Sequence, residues 1–159
     1  MKILYICTHN RCRSILSEAI TNHLAADVIT AKSAGSQPTG VVHPLAITHL
    51  EQAGIACANL QSQSWHQLED FAPDIVITVC DSAAAESCPV WFGSAIKVHW
   101  GLSDPSKLEG SEQQIAAAFR DCIADITTRV HQLKKLADMQ LDTATLKLKL
   151  AELIRQKSL

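Results

Sequence analysis

A cysteine and an arginine near the start of the chain stand at a spacing that suits attack on a bound oxyanion. Cys7 and Arg13 enclose five residues at the junction between an apolar stretch and a helical pattern. Backbone N–H groups in such a loop converge on one point, and the helix dipole adds positive potential there. These surroundings favour the thiolate of Cys7, while Arg13 can hold two oxygens of a tetrahedral anion. The sequence therefore predicts a loop that binds a phosphate-like dianion and attacks it with sulfur.

The predicted oxyanion-binding residues form one uninterrupted run after the nucleophile: Thr8, His9, Asn10, Arg11, Cys12, Arg13 and Ser14. Two of their side chains are expected to point away from the anion. His9 is predicted to point outward, because an inward ring would crowd the anion, and Cys12 is predicted to point into the core. Cys57 and Cys122 are also predicted to be buried, since free cysteine is among the most buried residue types.

Two further cysteines, Cys80 and Cys88, enclose seven small and polar residues that are predicted to form a loop. A disulfide between them needs Cα atoms about 4.4–6.8 Å apart, a distance that a loop of this length can close. Taken alone, the sequence of this pair fits two ordinary buried thiols as well as it fits a disulfide. If Cys7 lies at the same edge of a sheet, however, a relay of thiol exchange becomes the better interpretation, because each step is attack by a thiolate on an adjacent sulfur.

The elements that must position these cysteines alternate between strand and helix patterns. Strands are predicted at 2–6, 28–34, 74–79 and 95–100, and helices at 15–24, 44–53 and 111–136, with one helical turn at 68–71. Such alternation indicates a parallel sheet with helices on both faces, which binds ligands beyond the carboxyl ends of its strands. Cys7, Cys80 and Asp104 each follow a predicted strand, so we expect them to meet at that edge.

Length, charge and cysteine usage narrow the class of protein. A chain of 159 residues suits one domain, and a hydrophobic content of 47% argues against disorder. The net charge of -2, without a basic run, gives no support for nucleic-acid binding. No stretch approaches the roughly 18 consecutive apolar residues of a membrane span, and no cleaved signal is evident before Cys7. We therefore expect a cytoplasmic protein without membrane contact, whose six cysteines are catalytic or buried.

These residues resemble a known family. The loop at 7–14 is similar to that of the low-molecular-weight protein tyrosine phosphatases, whereas Cys80, Cys88-Pro89 and the segment 99–105 resemble the arsenate reductases built on that fold. The resemblance covers roughly residues 2–135. It implies a three-layer α/β/α domain at 1–136 with a four-stranded parallel sheet. Residues 137–159 are then predicted to be a helical extension, either packed on the domain or forming a dimer contact.

The resemblance also implies a mechanism. Cys7 would attack arsenate in the loop beside Arg13, and Asp104 would donate the proton that lets an oxygen leave. Cys80 would then attack the Cys7 sulfur and release arsenite, and Cys88 would leave a Cys80–Cys88 disulfide. No bound cofactor is implied; an external thiol reductant, either thioredoxin or a glutathione/glutaredoxin system, would restore the thiols.

Two other functions remain open at this point. A phosphotyrosine phosphatase would need only Cys7, Arg13 and Asp104, and this reaction is also expected as a weak side activity of a reductase. A sensor would bind an oxyanion without turnover, although no partner element for one is evident. No metal site is predicted, because His43 and His49 are six residues apart on one predicted helix and do not share a face.

Overall fold

The chain forms a four-stranded parallel sheet in the order β2-β1-β3-β4. The computed structural model describes residues 1–85 and 92–157. Its strands are β1 (Lys2–Ile6), β2 (Thr30–Ala34), β3 (Ile75–Thr78) and β4 (Ile96–His99). All three strand pairs run parallel, with Ile3 of the central β1 opposite Ala31 on one side and Ile75 on the other. The predicted parallel α/β architecture is therefore confirmed.

Five α-helices and two 3₁₀ helices lie in the described part of the chain. The α-helices are α1 (Arg13–Leu24), α2 (Pro44–Gln52), α3 (Asp81–Ala85), α4 (Glu112–Asp138) and α5 (Thr143–Lys157), and the 3₁₀ helices are Trp65–Phe71 and Pro105–Lys107. Local caps begin several of them. Ser111 and Gln114 form a capping box at the start of α4, and the His43 side chain accepts from the Leu45 N–H at the start of α2.

Most boundaries lie within one or two residues of the sequence-based predictions, and three differences have a clear physical reason or consequence. The loop predicted at 81–87 is wrong for its first five residues, which form α3, because three alanines and an acidic first turn favour a helix. β2 begins at Thr30, two residues later than predicted. The turn predicted at 68–71 is the end of a longer 3₁₀ helix, which a capping box between Ser64 and Gln67 extends backwards.

The core lies on both faces of β1, since helices cover the sheet on each side. Ile3, Leu4 and Tyr5 are completely buried, as the near-continuous apolar sequence of this strand requires in a parallel sheet. The Tyr5 hydroxyl is satisfied inside the core by the Thr21 hydroxyl at 2.8 Å. This rigid centre carries the loop that begins at its carboxyl end.

The last helix packs onto the sheet domain through one face. Leu146 and Leu150 of α5 are buried and belong to the same apolar cluster as the sheet, while Leu148 on the other face is 64% exposed. The division into a domain at 1–136 and an extension at 137–159 stays a prediction. None of the helices within 1–85 and 92–157 has the length and apolar character needed to cross a membrane.

Candidate active site

Asn10 is completely buried and anchors the loop at 7–14 through its side-chain hydrogen bonds. Its amide nitrogen donates to the Ser14 hydroxyl at 2.8 Å and to the Ser33 hydroxyl at 3.0 Å, and its oxygen accepts from the Gln63 N–H at 2.9 Å. Asn10 has a φ of 45°, a left-handed conformation that asparagine tolerates better than most residues. The asparagine therefore turns the loop and links it to β2 and to the 57–66 segment at once.

Backbone contacts on the outer side orient the loop amides. The carbonyl oxygens of Thr8, His9 and Arg11 accept from N–H groups of the segment that follows β2, at 2.9, 3.1 and 2.8 Å. Because the C=O and N–H of a trans peptide point in opposite directions, the N–H groups that follow these carbonyls face the inside of the loop. Gly35 makes this contact possible, since a Cβ there would lie 2.5 Å from the carbonyl oxygens of both Cys7 and Thr8.

The structure brings Cys7 and Cys80 into hydrogen-bond contact at the carboxyl edge of the sheet. Both side chains are buried free thiols. The Cys80 sulfur also accepts from the Ala83 N–H of α3 at 3.4 Å and lies 3.8 Å from the Thr8 hydroxyl. Both contacts favour a negative charge on this sulfur.

The two thiols affect each other's ionisation. The hydrogen bond from Cys7 lowers the pKa of Cys80 to about 5, with help from backbone N–H groups of Thr8 and Ala83. The same hydrogen bond, followed by burial, raises the pKa of Cys7, although Arg13 and the His9 N–H act in the opposite direction. The loop alone favours a Cys7 thiolate, whereas the neighbouring Cys80 thiol opposes a negative charge on Cys7, so the two groups titrate as a pair.

Arg13 and Asp104 form the other side of the site. An Arg13 terminal nitrogen lies 3.5 Å from the Asp104 carboxylate, and the other donates to the Leu102 carbonyl at 2.8 Å. The Arg13 Nε is buried, and none of the described residues accepts its hydrogen. The second carboxylate oxygen of Asp104 accepts from the Ser106 N–H and hydroxyl at 2.9 and 2.6 Å. The guanidinium is thus fixed in place with one donor still available to an anion.

The remaining predicted residues lie as follows. His9 and Arg11 are exposed at the mouth of the loop, and Cys12 is buried, with burial raising the pKa of its thiol to about 12. Cys57 and Cys122 are half-buried, less than the sequence predicted. Cys88, predicted as the third thiol, lies outside the described residues.

Two residues of the site were not predicted from the sequence. The Gln63 N–H donates to the side-chain oxygen of Asn10, which is 53 positions away in sequence. The Gln63 side-chain amide donates to the Ser33 carbonyl at 3.0 Å, across 30 positions. Glu18 is 8% exposed on α1, and burial raises its pKa to about 7 against hydrogen bonds from Ser33. A charged residue within a helix whose neighbours are all small or apolar was the available signal for Glu18. Nothing in the polar segment around Gln63 marks it.

No group of three or more histidine, cysteine, aspartate or glutamate side chains that could hold a metal ion occurs in the part of the chain that the structure describes. This edge of the sheet brings together two adjacent thiols, a guanidinium and a carboxylate around a ring of inward N–H groups. This set can bind a tetrahedral anion, attack it with sulfur and transfer electrons between sulfurs.

Comparisons with known proteins agree with this geometry. Residues 2–146 match the low molecular weight phosphotyrosine protein phosphatase family. Arsenate reductase 1 of Staphylococcus epidermidis is 37% identical over 132 residues, which cover 82% of this chain and 96% of that protein. A solved arsenate reductase in a phosphate-binding state has a TM-score of 0.70 at 28% identity, covering 84% of this chain and 96% of that one.

A thioredoxin-dependent arsenate reductase of Corynebacterium glutamicum has a TM-score of 0.68 at 25% identity, over 88% of this chain and 63% of that one. The match to the family model spans the catalytic loop, all four strands and the start of α5. On this extent of similarity, the chain belongs to the low molecular weight phosphotyrosine protein phosphatase family.

Proposed function

We propose that this enzyme reduces arsenate to arsenite through a relay of Cys7, Cys80 and Cys88. The observation that carries the proposal is the hydrogen bond between the Cys7 and Cys80 thiols at the oxyanion loop. A phosphatase of this fold needs one sulfur, whereas a reductase needs a second sulfur within reach of the first. The relatives named arsenate reductases, one of them solved in a phosphate-binding state, support the same assignment.

In the first step, the loop N–H groups and the Arg13 Nε hold arsenate against Cys7. The proton of Cys7 moves along its hydrogen bond to Cys80, and the Cys7 sulfur forms a bond to arsenic. One arsenate oxygen departs as water with a proton from Asp104, which lies 3.5 Å from Arg13. Arsenic remains As(V) in this adduct.

In the second step, Cys80 passes the proton that it took from Cys7 to an oxygen of the arsenic group, and the resulting Cys80 thiolate attacks the Cys7 sulfur. A sulfur–sulfur bond forms, the sulfur–arsenic bond breaks, and its electron pair stays on arsenic. Arsenic is thereby reduced to As(III) and leaves as arsenite, while two thiols become one disulfide. The Ala83 N–H and the Thr8 hydroxyl still contact the Cys80 sulfur when Cys7 is bonded to arsenic, and they favour the thiolate, which is the attacking form.

In the third step, Cys88 attacks Cys80, frees Cys7 and leaves a Cys80–Cys88 disulfide. We propose that thioredoxin reduces this disulfide, as the thioredoxin-dependent relative from Corynebacterium glutamicum suggests. A glutathione/glutaredoxin system is the alternative donor. A cytoplasmic location follows from the proposal, since the relay must begin from reduced thiols.

Aryl phosphate hydrolysis is expected as a weaker side reaction of Cys7, Arg13 and Asp104. Ser106 and Lys107 follow the acid in a short 3₁₀ helix, so this segment offers no aromatic ring to a phosphotyrosine side chain. The side reaction is useful experimentally, because it reports on the first step alone.

The proposal is tested by arsenate-dependent NADPH oxidation with purified thioredoxin and thioredoxin reductase. We expect steady turnover by the wild type, at most one turnover by Cys88→Ser and no arsenite release by Cys80→Ser. Cys57→Ser is the matched control, because its thiol contacts the carbonyls of Ile47 and Ile55 away from the site. Brisk aryl phosphate hydrolysis without any arsenate turnover would refute the reductase. Full turnover by Cys88→Ser with glutathione would refute the three-cysteine relay.

A further inference from the structure

We propose that His99 and Asp81 are a positioning pair, which holds α3 so that Cys80 faces the Cys7 sulfur. The inference rests on the proposed relay and adds two residues to it that touch neither the oxyanion nor the reacting sulfurs. Asp81 is the first residue of α3 and directly follows Cys80, while His99 ends β4. The pair thus connects the helix that carries the second thiol to the edge of the sheet.

The contact is a chain of two hydrogen bonds. His99 Nε2 lies 3.0 Å from Asp81 Oδ1, and His99 Nδ1 lies 2.8 Å from the Thr78 hydroxyl. Because a carboxylate accepts, Nε2 is the donor to Asp81. Thr78 and His99 are directly opposite each other in the register of β3 and β4, so the imidazole is fixed on two neighbouring strands. The aspartate is therefore connected to two strands of the sheet.

Gly101 leaves the space in which this contact forms. It has a φ of +57°, and a Cβ at this position would lie 3.3 Å from His99 Nε2 and 3.9 Å from Asp81 Oδ1. The backbone after β4 thus passes directly beside the hydrogen bond. A side chain here would have to displace the imidazole as well as strain the backbone.

The helix that carries Cys80 needs such a support. α3 has five residues, far fewer than an isolated helix requires for stability. The Cys80 sulfur accepts from the Ala83 N–H within this helix, so the orientation of the helix sets the direction of the sulfur. Attack of one sulfur on another requires close and aligned atoms, and small displacements lower the rate strongly.

The exposure and the charge of the pair indicate that it orients α3 rather than stabilising the fold or activating the Cys80 thiol. The Asp81 side chain is 95% exposed and that of His99 is 39% exposed, so the ion pair contributes little to folding. The negative charge of Asp81 beside Cys80 disfavours a thiolate there. Electrostatics alone therefore predict that removal of Asp81 activates Cys80, whereas a positioning role predicts the opposite.

The test uses Asp81→Ala, His99→Ala and the double variant, all in a Cys88→Ser background that stops after the second step. Two quantities are measured: arsenite release in a single turnover, and the equilibrium of the Cys7–Cys80 disulfide with dithiothreitol, with the disulfide assigned by peptide mapping. We expect each single variant to lower both quantities about fivefold, the value of one ordinary hydrogen bond. The double variant should add little, because both changes break the same contact.

Three controls separate position from folding. Asp81→Asn keeps an oxygen that accepts from His99 and should restore both quantities. Ser82→Ala changes the neighbouring exposed residue of α3 and should leave them unaltered. The dissociation constant of inorganic phosphate, which depends on the loop N–H groups and Arg13 and not on Cys80, should stay within about twofold in every variant, and a parallel loss there would reveal a general structural effect and overturn the inference.

An unchanged or tighter disulfide equilibrium in Asp81→Ala would also overturn it, as would additive effects in the double variant. The dithiothreitol equilibrium needs no arsenate. It therefore decides the positioning role even if the wild type fails to release arsenite, an outcome that would refute the proposed function alone.

Discussion

At the scale of single residues, the site is defined by a few hydrogen-bond donors that are held in fixed directions. Arg13 is anchored by Leu102 and Asp104 and keeps its buried Nε for a ligand. A flexible ammonium could supply the charge at this position but not the planar set of donors. Asn10 performs a different task, since all of its side-chain hydrogen bonds hold the protein backbone and neighbouring hydroxyls rather than a ligand.

We expect Arg13→Lys to lower kcat/KM for both arsenate and an aryl phosphate by about 100-fold or more, the usual cost of losing one oriented donor to an oxyanion. The inhibition constant of inorganic phosphate should rise in parallel, because the lost donor acts on the bound anion. Arg120→Lys, on the exposed side of α4, serves as the control. Retention of wild-type phosphate binding by Arg13→Lys would contradict the assigned role of Nε.

The raised pKa of the buried Glu18 predicts that the stability of the protein depends on pH. Its pKa is raised from 4.5 to about 7 by burial, so the folded state binds this proton more tightly than the unfolded state. The contribution of Glu18 to the free energy of unfolding is therefore complete below about pH 4.5 and is lost as the pH rises towards 7. Between about pH 5 and pH 8, the wild type should lose on the order of 2 kcal/mol relative to Glu18→Gln, from the size of the shift. Urea unfolding at the two pH values measures this difference, and parallel pH profiles would contradict it.

At the scale of secondary-structure elements, the site depends on close contact between the end of β2 and the catalytic loop. Gly35 follows β2, and its N–H and carbonyl also pair with the segment at 63–65. The loop is thus held between two stretches of chain that are distant in sequence. α3 is a second such case, because its position comes from the sheet edge rather than from its own length.

Gly35→Ala should push the loop carbonyls away and disorder the inward N–H groups. We expect a loss of stability of about 1–3 kcal/mol, typical of inserting a methyl group into packed structure, together with weaker phosphate binding. Phosphate inhibition of aryl phosphate hydrolysis and thermal unfolding measure the two effects. Gly40→Ala is the control, because a Cβ there meets no atom within 4 Å. It should cost some stability through its φ of +80° but leave phosphate binding intact.

At the scale of the whole molecule, α4 and α5 complete one face of the domain. α4 spans 27 residues and buries Phe119, Ile126 and Val130 completely, and α5 adds Leu146 and Leu150 to the same cluster. The last helix lies beside β4 and Trp100. Its role in this structure is to extend the core.

Leu150→Ala should lower the free energy of unfolding by about 2–5 kcal/mol, because a buried leucine side chain is lost from a packed core. Leu148→Ala, two residues earlier and 64% exposed, should change it by less than about 0.5 kcal/mol. Urea unfolding compares the two variants, and aryl phosphate hydrolysis by the folded proteins should be equal. Equal stability of the two variants would instead indicate that α5 does not pack on the core.

Local patterns were sufficient for the order of elements and for the central motif. The apolar β-branched runs, the Ser111 cap and the Cys7 to Arg13 spacing each act within a few residues, so the sequence alone predicted the strands, the start of α4 and the loop. Parallel topology followed as well, because strands separated by helices can pair in few ways. The sequence did not predict α3, because a run of five small residues is typical of a helix and of a loop alike.

The contacts that tune the site come from chain segments far apart, and only their folding together reveals them. Gln63 reaches Asn10 across 53 positions, Thr8 meets Cys80 across 72, and His99 reaches Asp81 across 18. Hydrogen-bond partners of this kind leave no periodic trace in the sequence. The charge on the thiol pair depends on them too. The loop alone favours the Cys7 thiolate, whereas the second sulfur raises the pKa of Cys7 and has hydrogen-bond donors of its own, so the two thiols titrate as a pair.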